Sequence, residues 1–189
     1  MFFNKFFKCL AIVALSATMT TTVAAQNYTP TKADYKAAKK EAKAWAKEGW
    51  KVSPGDLSLV EQIALSKSIL RDGDNWIVGQ ATSKGTVFDA VQSNAIFQAK
   101  VNITKTVDEI IKGEEHGGNG NDQGSTSVSA GTYTEIAKAK YNNEIKHPKT
   151  LIRCYRTLSD GTVEVQSRLA IRWNEQEIRD EVKKRLNQD

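Results

Sequence analysis

The chain has 189 residues, 40% of them hydrophobic, and its 27 Lys and Arg against 22 Asp and Glu leave a formal net charge of +5. That composition supports one domain of ordinary size with a real core. It does not supply the strong basic field that a nucleic-acid partner requires.

Lys5 and Lys8 precede an apolar run from Cys9 to Ala17, and Val23-Ala24-Ala25 provides the small residues a signal peptidase accepts. This predicts a secretory signal peptide over residues 1–25, cleaved after Ala25, and a mature domain over 26–189 outside the cytoplasm. The run is too short to cross a bilayer as a helix, and no second transmembrane candidate follows. Cys9 lies before the run, whereas a lipidation cysteine follows it, so no lipid anchor is expected. With Cys9 removed, Cys154 is the only cysteine and no intrachain disulfide can form. Loss of Lys5 and Lys8 lowers the net charge to +3.

Thr31 and Asp34 form a capping-box pair that opens a helix running to about Glu48. Tyr35, Ala38, Ala42, Trp45 and Ala46 make its apolar stripe, and Lys32, Lys36, Lys39, Lys43 and Lys47 crowd the neighbouring face. A solvated face accounts for such a run, and docking on anionic lipid or an acidic partner is its functional counterpart, with Trp45 and Trp50 as interfacial aromatics. Gly49 stops the helix, Trp50 to Val52 is extended, and Pro54-Gly55 turns the chain. Ser58 and Glu61 cap a second helix to about Leu70, with Leu59, Ile63 and Leu70 on one side.

The organising stretch follows. Asn75 to Thr82 reads as a strand, and Thr86 with Asp89 caps a long helix ending at Gly113. Phe88, Val91, Ala95, Ile96, Ala99, Ile103, Val107 and Ile110 recur at helical spacing. Ala95 and Ala99 allow another element to approach closely. Residues 113–131 are rich in Gly, Asn and Ser and read as a flexible loop. Glu114, Glu115, His116, Asn119, Asn121 and Asp122 offer metal-ligand types there, but the calcium-loop pattern fails at its twelfth position, Ala130, and no metal is expected. Thr132 and Glu135 cap a fourth helix to about Asn143.

Leu151 to Leu158 and Val163 to Trp173 then flank Ser159-Asp160-Gly161-Thr162. A two-residue Asp-Gly turn predicts a hairpin with Leu158 opposite Val163, Cys154 opposite Ser167 and Ile152 opposite Leu169. In that register Arg153 faces Arg168, and Arg153, Tyr155, Arg168 and Arg172 form a cationic platform on the outer face, with Glu164 and Gln166 beside them. Like charges directly opposite are unfavourable, so the pairing invites a local acid or an external anion. Those four residues are the candidate binding residues. Asn174 and Glu177 cap a last helix with Lys183, Lys184 and Arg185 at its C-terminal end. The expected fold is α+β: a three-stranded, mainly antiparallel sheet with helices on one face and one long central helix.

Trp76-Ile77-Val78-Gly79, the Ala-punctuated long helix (Ala90, Ala95, Ala99) and the late hairpin together resemble small bacterial envelope proteins. That family includes the twenty-kilodalton Lpp-type lipoprotein and the N-terminal domain of the flagellar assembly protein T. Lys39 to Ala42 and Gly49 to Gly55 are similar to uncharacterised secreted proteins of Gram-negative gut bacteria. The resemblance implies an envelope or assembly component and transfers no functional residue.

No Ser, Cys or His sits in a nucleophile or phosphate-cradle motif, so neither catalytic residue nor cofactor is expected. The expected function is that of an exported, non-catalytic protein acting by binding or assembly, in the periplasm or at the outer membrane or secreted. Its partner is an envelope protein or an anionic polymer. The alternative is a periplasmic hydrolase or other enzyme.

Overall fold

The computed structural model describes residues 29–53, 55–116 and 125–188. The elements run α1 (Lys32–Lys47), β1 (Lys51–Val52), α2 (Leu59–Leu70), a 3-10 turn (Gly73–Asn75), β2 (Trp76–Gly85), α3 (Phe88–His116), α4 (Ser125–Glu144), β3 (Lys149–Thr157), β4 (Val163–Arg172) and α5 (Glu175–Leu186). The fold is α+β. Its sheet has four strands rather than three, antiparallel throughout, in the order β1-β3-β4-β2. The added strand is the two-residue β1, too short to show any alternation in sequence.

Helices cover both faces of this sheet, not one. On one side Ile77, Leu169 and Ile171 pack with Ala99, Ile103 and Val107 of α3, Ile136 and Ala137 of α4, and Ile178 and Val182 of α5. On the other, Ile152, Cys154 and Ala170 pack with Ala38 and Ala42 of α1 and Ile63, Ala64 and Ile69 of α2. Two covered faces explain why both alternation phases of the hairpin carry apolar residues.

Local chemistry sets the boundaries. Thr31 and Asp34 form the expected reciprocal cap, with Thr31 N–H donating to the Asp34 carboxylate at 2.7 Å. Ser58 and Glu61 repeat the arrangement at 2.9 Å. Asn174 Oδ1 accepts from Glu177 N–H at 2.9 Å. Two expected boundaries differ. Gly113 lies inside α3, where glycine is unfavourable by only about 1 kcal/mol, and α4 begins at Ser125, seven residues before Thr132. The segment expected as a loop over 113–131 is therefore helical at both ends, and its centre, with Asn119, Asn121 and Asp122, lies outside the described residues, as does the stretch expected to be a signal peptide. No helix among the described residues is long and apolar enough to cross a membrane.

Gly79 fixes the approach of α3 to the sheet. A Cβ there would sit 2.1 Å from the carbonyl oxygen of Ala99 and 2.7 Å from Cγ1 of Ile103. The small residues of strand and helix thus meet, as the Ala95–Ala99 stretch suggests.

Candidate functional site

The hairpin loop decides which side chains share a face. Leu158 C=O accepts from Gly161 N–H at 3.0 Å, Gly161 takes φ +81°, and Leu158 N–H donates to Thr162 C=O at 2.8 Å. This is a three-residue loop, a turn followed by a left-handed glycine, not the two-residue turn. Asp160 Oδ1 holds it by accepting from Thr162 N–H and Oγ1. The extra loop residue moves the register by one, so Thr157 pairs with Val163, Cys154 with Gln166 and Ile152 with Arg168. A bulge at Leu151 shifts the pairing once more towards Lys149. A one-residue slip exchanges faces.

The four candidate binding residues are consequently not brought together. Arg168 and Arg172 lie in the alternation that faces α1 and α2. Arg153 pairs with Ser167 and Tyr155 with Val165, in the opposite alternation. Tyr155 meets Phe88 edge-on at 5.0 Å in the small core beneath α3. Arg172 pairs with Glu177 at 2.9 Å. Arg153 forms a two-point ion pair with Asp56, which holds its guanidinium more firmly protonated. That pair lines a cleft of about 260 Å³ with Leu57, Gln62, Thr150 and Leu151. There Gln62 stands in for the missing continuation of β1: its Oε1 accepts from Arg153 N–H at 2.8 Å and its Nε2 donates to Leu57 C=O at 2.7 Å. This is an edge closure, with its charges already matched.

Arg168 differs. It stands in the middle of the first row of a small grid on the α1/α2 face, formed by adjacent rows of β3, β4 and β2: Ile152, Arg168 and Gln80, then Cys154, Gln166 and Thr82, then Arg156, Glu164 and Lys84. The α1–α2 pair covers one side of the grid, while Gln80, Thr82 and Lys84 remain exposed. Six of the seven arginines make ion pairs; among the described residues Arg168 makes none. Its guanidinium donates instead to neutral oxygens, Ser66 Oγ at 2.7 Å and Gln80 Oε1 at 2.9 and 2.5 Å. Burial lowers its pKa from the ordinary value, against the more distant pull of Glu41. Beside it Gln166 is 8% exposed, and its side-chain amide finds no hydrogen-bond partner among the described residues.

The far row is closely paired, and Arg156 also reaches the Glu48 carboxylate at 3.8 Å. Burial pushes the Glu164 carboxyl up, but hydrogen bonds and charge from Arg156 at 2.6 Å and Lys84 at 3.2 Å outweigh it and hold it below the usual carboxylate range. Arg156 also lies 4.7 Å over the ring of Trp50. With Arg168 the grid carries three cations and one anion. Burial drives the neighbouring Cys154 thiol up to about 12, so it remains protonated and unreactive.

Of the sequence candidates, Arg168 alone sits on this face without a counter-charge. Gln80, Lys84, Arg156 and Trp50 were not among them. The signal that could have found β2's share was the polar alternation Gln80, Thr82, Lys84 at the end of an otherwise apolar strand. Comparison with family models, curated proteins and solved structures finds no match to the chain.

Proposed function

We propose that this is an exported, non-catalytic protein of the Gram-negative envelope that binds an anionic group of its partner on the sheet face around Arg168. The observation that carries the reading is the half-buried Arg168 guanidinium, which among the described residues donates to neutral oxygens and makes no ion pair, while every other arginine has a carboxylate. A desolvated cation without a counter-ion is costly. A carboxylate or phosphate oxygen entering over the exposed Gln80–Thr82 side would complete it, and the guanidinium fork suits both groups. The Gln166 amide beside it supplies a further donor, and Lys84 and Arg156 add positive potential. An acidic protein segment or anionic envelope polymer has the matching chemistry, in keeping with the resemblance to envelope and assembly proteins. The protonated, buried Cys154 is unsuited to the nucleophile role an enzyme would give it.

The test uses poly-glutamate as probe in a calorimetric titration. Hydrogen bonds involving a charged group are worth about 1.5–3 kcal/mol, so Arg168→Gln should weaken binding about tenfold or more. Arg168→Lys should restore part of the charge but not the fork. Arg153→Gln, already matched by Asp56, should leave affinity unchanged. Equal affinity in Arg168→Gln and wild type would refute the reading. Crosslinking from intact cells then identifies the natural partner.

A further inference from the structure

α1 sorts its charges by face. At 100° per residue, Lys32, Lys36, Lys39, Lys40, Lys43 and Lys47 fall within an arc of about 100°, and all six are exposed. The helix's two acids point the other way, to α2: Asp34 holds Arg71 at 2.9 Å and Glu41 holds Lys67 at 2.8 Å. Among the described residues none of the six lysines is ion-paired. The row therefore carries uncompensated like charges at i, i+4 (32/36, 36/40, 39/43, 43/47), each pair unfavourable to the helix.

We infer that α1 is a docking surface for an anionic lipid bilayer, lying along the membrane with its lysine row on the headgroups. The row is straight and convex, with neither groove nor arginine fork to grip a single phosphate. Lysines are point charges on flexible stems, and they match a diffuse sheet of headgroup charge. Docking is electrostatic, without insertion. Trp45 and Trp50, the aromatics that would anchor at an interface, pack 6.1 Å apart and lean on the core between α1, α2 and the sheet. This surface is separate from the Arg168 face, and neither reading depends on the other.

Vesicle sedimentation tests it. The purified protein should sediment with vesicles of phosphatidylglycerol and phosphatidylethanolamine, and not with phosphatidylcholine alone. Raising salt from about 0.1 M to 1 M, which shortens the screening length from about 10 to 3 Å, should release it. A lysine near an anionic surface contributes a factor of about five, so the triple variant Lys36→Gln, Lys39→Gln, Lys43→Gln should bind about a hundredfold more weakly. The charge-matched variant Lys183→Gln, Lys184→Gln, Arg185→Gln on α5 should bind as wild type does. Because the substituted side chains on α1 are exposed, circular dichroism should show all proteins folded alike. Sedimentation with phosphatidylcholine, equal losses in both variants, or binding to soluble dextran sulfate but not to vesicles would each overturn the inference.

Discussion

Arg168 and Glu164 lie four residues apart on β4 and illustrate opposite treatments of a partly buried charge. Glu164 is matched by two cations, so its carboxyl titrates below its unfolded value. The folded state then binds fewer protons, and the stabilisation is complete above the ordinary glutamate pKa of about 4.3 and is lost as pH falls through the lower folded value. Glu164→Gln should be less stable than wild type in urea at pH 7, with the difference shrinking towards pH 3. A pH-independent difference would mean that the ion pairs are not its source. Arg168 is unmatched, so its replacement should affect stability differently. Removing it alone strands the fully buried Ser66 Oγ. The double change Arg168→Met with Ser66→Ala removes charge and orphan together, and it should unfold within about 1 kcal/mol of wild type, or above it. A loss beyond about 3 kcal/mol would assign Arg168 to holding the fold.

At the scale of elements, the contact of β2 with α3 and the hairpin loop carry the architecture. Gly79→Ala places a methyl group against helix backbone rather than a yielding side chain, and overpacking of that kind should cost about 2 kcal/mol or more. Gly73→Ala, with nothing within 4 Å of the new Cβ, should stay within about 0.5 kcal/mol of wild type. Thermal or urea melts decide between them. The close approach was legible from the helix side, where Ala95 and Ala99 leave room for another element; that Gly79 of β2 is what meets it was not. Nor was the hairpin register. Asp160-Gly161 fits a two-residue turn as well as a three-residue loop, and the choice rests on Gly161 adopting a left-handed conformation. Usually the buried alternation would break such a tie. Here Val165, Leu169 and Ile171 face α3 while Ile152, Cys154 and Ala170 face α2, so apolar residues satisfy either register.

For the whole molecule, the two-sided covering of the sheet determines where binding chemistry can sit. Most of both faces is core, and the hairpin end of the α1/α2 face, beyond the reach of α2, is where sheet polar groups meet solvent at Gln80, Thr82 and Lys84. The helices themselves were legible from periodicity and capping pairs, with α1, α2 and α5 starting at or beside their expected caps. The site was legible only as a set of arginines, because their grouping depends on a register and a bulge that tertiary packing sets. One measurement addresses that grouping and its role together: a nitrogen-detected NMR titration of the protein with inorganic phosphate, following the Arg168 Nε–H and the Gln166 side-chain amide. The account predicts that these two signals shift together and saturate, while Arg153 and Arg172 Nε–H stay in place. Shifts spread evenly over all arginines, or a response centred on Arg153, would contradict it.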